Sequence, residues 1–152
     1  MNLFAAATFS ALAAAAFASG AEACPDYTQF GASFAVSGSD LYSPNSFTVT
    51  AGGANRLADC GWVEAGYFTS APDFTFDLSQ MQGYQLEIRV VSAYDAALVV
   101  NSPDGTWYYD DDRNGNLDPA VILNSVSSGD LDVWVGTYDG QYCPATLTLE
   151  TF

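Results

Sequence analysis

Alternation of apolar and polar residues with a period of two, recurring along most of the chain, is the feature that most constrains its fold. Phe30, Ala32, Phe34 and Val36 fall on one side of an extended segment, with Gly31, Ser33 and Ala35 on the other. Phe47, Val49 and Ala51 alternate with Ser46, Thr48 and Thr50, and Phe74, Phe76 and Leu78 alternate with Asp73, Thr75 and Asp77. Leu86, Ile88 and Val90 do the same against Gln85, Glu87 and Arg89. Successive side chains of a strand point to opposite faces, so each of these runs predicts a half-buried strand. Further strands are expected over 62–69, 107–109, 121–123, 131–138 and 145–149, while Ala96 to Val100 is apolar on both faces, as in the middle of a sheet. Turn chemistry separates them: 38–44, 52–55, Pro103-Asp104-Gly105, Ser127-Ser128-Gly129 and Asp139-Gly140. Nothing past residue 23 sustains a helical period. The expectation is an all-β, antiparallel β-sandwich of jelly-roll-like form, built from one domain over 24–152.

The first 23 residues differ. An apolar run from Leu3 to Ala18 is too short to span a bilayer and ends in the small-residue site Ala21-Glu22-Ala23. This reads as a signal helix cut after Ala23, with Ala18 as the alternative cut, although no Lys or Arg precedes the apolar run. The expected compartment is periplasmic or secreted. Oxidation is favoured there, and Cys24, Cys60 and Cys143 allow one disulfide and one odd thiol. Spacing alone does not choose the pair. Cys24 with Cys60 is the expected one because it pins an otherwise fraying N-terminus, leaving Cys143 free or available to another chain.

Charge and missing residue types exclude whole classes of chemistry. The chain carries 18 Asp and Glu against 3 basic residues, a net charge of −15, with no His. Such a surface repels phosphate backbones and anionic lipid, so no nucleic acid and no membrane insertion after processing are expected, and the chain is expected to be a monomer. All three basic residues are arginines. Without imidazole or lysine, the Ser-His-Asp, Cys-His, Ser-Lys and His-ligated zinc routes to peptide hydrolysis are closed. Glu64, Glu87 and Glu150 fall on outward faces and mark no facing pair, so a carboxylate-based glycosidase-like enzyme is the minor alternative.

Two stretches could bind something. In Asp110 to Asp118, oxygen-bearing side chains recur at Asp110, Asp112, Asn114, Asn116 and Asp118 with Gly115 between, the spacing of a calcium loop. Val121 stands where a bidentate Glu would complete an EF-hand, so a weak Ca2+ site on a strand-flanked loop is the expectation. The aromatics Trp107, Tyr109, Trp134 and Tyr138 form the second candidate. Trp134 and Tyr138 alternate opposite Leu131, Val133 and Val135, and an open face there would be a platform for an extracellular polymer, a glycan or a collagen-like protein. If a loop covers that face, the same rings are a second core.

From Pro72 onward the order of features resembles the bacterial pre-peptidase C-terminal domain family. The matching features are Asp95 before Leu98-Val99-Val100, the hairpin Ser102-Pro103-Asp104-Gly105, the acidic loop, Ser128-Gly129, the strand Leu131-Asp132-Val133-Trp134-Val135-Gly136, and the closing strand Ala145 to Glu150. The chain is also similar to small exported alphaproteobacterial proteins that carry this domain almost alone. In those a fourth cysteine often precedes the Asp that matches Asp95; Tyr94 stands there in this chain, which leaves Cys143 without that partner. The resemblance implies a β-sandwich accessory module that is found beside secreted peptidases and is not a peptidase itself. The functional expectation is therefore a non-catalytic binding or accessory module, with a structural cell-envelope component as the alternative.

Overall fold

The computed structural model describes residues 23–152; the signal helix expected over 1–23 lies, but for Ala23, outside the described residues. Eleven strands follow: β1 Ala32–Ser37, β2 Asn45–Ala51, β3 Asn55–Arg56, β4 Tyr67–Phe68, β5 Phe74–Ser79, β6 Leu86–Ser92, β7 Ala96–Asn101, β8 Trp107–Asp110, β9 Ala120–Leu123, β10 Gly129–Thr137 and β11 Cys143–Thr151. They form a seven-stranded and a four-stranded sheet, the latter in the order β2-β11-β6-β9. The two sheets make the β-sandwich that the alternation predicts. One pair departs from antiparallel order, since β1 lies parallel to β5 at an edge of the larger sheet.

The centre of the larger sheet is β10. Along one side it pairs with β7 over Asp132 to Thr137, and β7 pairs in turn with β8. Along the other side it pairs first with β5, over Gly129 to Val133, and then with β4 at Thr137. The gap between those two neighbours is filled locally. Val135 donates its N–H to the Asp73 carboxylate at 2.7 Å and accepts from the Gly52 N–H at 3.0 Å, so no β10 amide is orphaned there.

Between the sheets, Phe74, Phe76, Leu78, Leu131, Val133 and Val135 meet Leu86, Ile88, Val90, Ala145, Leu147 and Leu149 in one cluster. These are the residues that the period of two turns inward, and fully burying such a side chain stabilises by roughly 1.5–3 kcal/mol. Phe34 and Phe47 extend the core with rings 4.7 Å apart. Phe30 does not join them: it precedes β1 and stays 68% exposed. On the smaller sheet's outer side, Arg89 bridges Glu87 and Glu150. Cys143 is buried beside the Ser92 hydroxyl, so its thiol is withheld from a partner chain.

The strand expected over 62–69 shrinks to Tyr67–Phe68. Leu57–Cys60 forms a 3-10 turn that ends at Gly61 with φ 83°, and Gly66 bends again at φ 119°. This segment wraps because its apolar residues have another task. Leu57 and Phe68 bury against Ala97, Val99 and Trp134 on the outer side of the larger sheet, with Trp62, Trp107 and Tyr109 packed around them. The close approach depends on Gly136, where a Cβ would sit 2.5 Å from the Phe68 ring and from the Tyr67 carbonyl. Gly136→Ala is expected to cost about 1–3 kcal/mol through this overpacking, measured by urea unfolding. A change below about 0.5 kcal/mol would mean that the wrap is loose.

Candidate functional site

The outer face of the larger sheet is divided. Its β7–β8 half is closed by the wrapping segment, and its β1–β5 half is open. Trp134, expected on a platform, is fully buried, and its indole N–H donates to the Ser70 carbonyl at 3.1 Å. Trp107 and Tyr109 are half-buried members of the same cluster, and of the four platform residues Tyr138 alone is exposed, at 46%. Those four side chains therefore do not make a continuous ligand surface. The physical reason is the wrap: a face with Ala97, Val99 and Trp134 on it is too apolar to leave in water.

The N-terminal segment forms the border between the halves. Cys24 is bonded to Cys60, with an S–S distance of 2.07 Å. Ser70 then fastens the chain, its hydroxyl donating to the Cys24 carbonyl at 3.1 Å and its own carbonyl accepting the Asp26 N–H at 2.9 Å. Tyr27 stands edge-on to Trp107 at 6.1 Å, and Trp107 in turn contacts Trp62 and Trp134. From this border Tyr27 and Phe30 look across the open half.

Two adjoining clefts occupy that half, of about 280 Å3 and about 300 Å3, and they share Phe30 and Asp130. In the first, Asp77 faces Asp130 as a direct cross-strand pair between β5 and β10. In the second, Asp132 stands opposite Asn101 of β7 and belongs to the same outer face. Asp132 is 5% exposed, and the Thr75 hydroxyl donates to its Oδ1 at 2.6 Å. Burial raises the Asp132 carboxyl, the Thr75 hydrogen bond lowers it, and the nearby Asp130 charge raises it again. Asn101 is likewise 5% exposed, and its amide nitrogen has no hydrogen-bond acceptor.

The acidic loop is built differently from the expected calcium cradle. Asp110 Oδ2 accepts the N–H groups of Arg113 and Ala120 at 2.8 and 2.9 Å, and Asp118 Oδ1 accepts that of Ser92 at 2.9 Å. Asn114 donates its side-chain amide to the Val90 carbonyl at 2.9 Å. Three of the five candidate ligands are thus turned onto backbone of β6, β9 and the loop itself. Asn116 and Leu117 take left-handed φ of 56° and 62°, which swings the chain so that the Leu117 carbonyl accepts the Ala96 N–H of β7. Among the described residues no three acidic or thiol side chains converge to hold a metal, and Asp110, Asn114 and Asp118 each fasten the loop to backbone. Acids in and beside the loop crowd: burial raises Asp95, just before β7, and Asp111, and the charges of neighbouring aspartates, Asp112 among them, raise both further.

The same sandwich is found in a solved structure. The pre-peptidase C-terminal domain of a collagenase from Bacillus anthracis superposes with a TM-score of 0.50 at 10% identity, over 80% of this chain and 96% of that one. The fold is shared with that domain. A periplasmic inhibitor of g-type lysozyme from Aeromonas hydrophila gives 0.46 at 12% identity, over 82% of this chain and 99% of its own. No sequence-family model and no curated protein sequence matches the chain.

Reading the sequence missed Tyr27, Phe30, Asn101, Asp130 and Asp132 as a group. The available signal was the alternation Asp130-Leu131-Asp132-Val133, which sets two carboxylates on the face away from the core. Their convergence with Asp77 and Asn101 depends on β10 pairing with β5 on one side and β7 on the other, which no local pattern encodes.

Proposed function

We propose that this chain is an exported, non-catalytic binding module, and that its ligand is an extracellular macromolecule held on the open half of the larger sheet's outer face. The observation that carries this reading is the contrast between the two halves. One is closed by a dedicated aromatic wrap, while the other presents Tyr27 and Phe30 beside a polar cleft. An exposed aromatic border next to unsatisfied polar groups is the usual make-up of a recognition surface. The disulfide supports an oxidising compartment, and the absence of His and Lys from the sequence supports binding over hydrolysis.

Co-sedimentation with insoluble collagen and with peptidoglycan sacculi tests this. Retention on at least one polymer is expected, reduced about tenfold or more in affinity by Tyr27→Ala with Phe30→Ala, since truncating anchor aromatics commonly costs over 1.4 kcal/mol. No soluble fragments should be released. Retention unaffected by the two substitutions, or release of fragments, would overturn the reading.

A further inference from the structure

The open cleft violates a rule of sheet pairing. Like charges placed directly opposite across two strands are destabilising, yet Asp77 faces Asp130, and Asp132 follows on the same face. No Lys or Arg lines either cleft, and the chain's three arginines lie elsewhere, at Arg56, Arg89 and Arg113. Arrangements that break a local rule without an internal compensation are characteristic of functional sites. A second observation points the same way from a different side chain. Asn101, nearly fully buried in the second cleft, keeps an amide N–H donor without an acceptor. A buried donor left unmade costs free energy that a ligand's acceptor recovers.

A ligand suited to this cleft brings positive donors for the carboxylates and a carbonyl-like acceptor for Asn101. The exposed ring of Phe30 adds a face for cation–π contact. A polypeptide with arginine or lysine supplies both, the cation from its side chain and the acceptor from its backbone.

We infer that the cleft binds a basic polypeptide segment laid across the open half, with an arginine or lysine side chain on the Asp77–Asp130 pair and a peptide carbonyl on Asn101. This rests on the open half being the binding face and names what it binds.

The test is isothermal titration with a synthetic peptide carrying arginine at alternate positions, and with its glutamine counterpart. Asp77→Asn with Asp130→Asn changes two exposed positions and leaves the core intact. Asp139→Asn, on the hairpin before β11, controls for total charge. The arginine peptide should bind, weaken about tenfold with the double substitution, and be unaffected by Asp139→Asn. If Asp139→Asn weakens binding equally, attraction is diffuse and the inference fails. If the glutamine peptide binds as tightly and is lost with Phe30→Ala, the face is a binding surface without a cation site; the inference falls and the proposed function stands. If neither peptide binds and no polymer is retained, both fall.

Discussion

Replacing Cys24 and Cys60 by serine is expected to lower stability by about 3 kcal/mol and to open the cleft border at the same time. The bond closes a loop across a sequence separation of 36, for which the chain-entropy account gives roughly 3–4 kcal/mol. What distinguishes this disulfide is where it sits. Cys60 ends the 3-10 turn that carries Leu57 over Trp134, and Cys24 begins the segment that places Tyr27 and Phe30. Losing the bond therefore loosens the wrap and the border together. Urea unfolding of the double variant checks the energy, and Trp107 and Trp62 report the border through their fluorescence. A drop in stability with unchanged tryptophan emission would show that the disulfide acts on the unfolded chain alone.

The second large effect is one of pH. Burial pushes the Asp73 carboxyl up to about 6 from an ordinary value of 3.8, against the opposing hydrogen bond from Val135. The folded protein thus holds this proton more tightly than the unfolded chain. The contribution is complete below the unfolded value and is lost as pH rises through about 6, so Asp73 makes the fold more stable on mild acidification. Between pH 7 and pH 4 it supplies about 2 kcal/mol. Asp95, Asp111, Asp118 and Asp132 are shifted in the same direction, chiefly by burial, whereas hydrogen bonds lower the exposed Asp26, Asp40 and Asp104. Unfolding free energy measured in urea should rise from pH 7 to pH 5, and Asp73→Asn, which retains an oxygen for the Val135 amide, should flatten that rise. Stability that falls over the same interval would contradict the assignment of Asp73 as the dominant group.

What the sequence disclosed and what it withheld divide along a physical line. The alternating runs at Phe47 to Ala51, Phe74 to Leu78 and Leu86 to Val90 announce strands, because a half-buried strand needs only its own residues to be recognised. The all-apolar Ala96 to Val100 is central, between β10 and β8, as its two-faced pattern implies. The segment 53–66 could not be read in this way. Its apolar residues cover a sheet face rather than alternate, and the glycines at 61 and 66 that let it bend look like ordinary turn residues. The acidic loop reads two ways for a related reason. Oxygen-bearing residues at alternate positions suit a cation and equally suit a loop that must cap backbone amides, and only the location of the Ser92, Val90 and Ala120 backbone distinguishes the two uses. The cleft is the least legible part, being assembled from the N-terminal segment, β5, β7 and β10.

Recognition is proposed to concentrate on one half of one sheet face. Backbone amide chemical shifts of the labelled protein, followed as the arginine peptide is added, test it most directly. Perturbations confined to residues 27–35, 75–77, 101 and 129–132 are expected. Perturbations centred on the acidic loop at 110–118, or on the outer face of the four-stranded sheet, would contradict it.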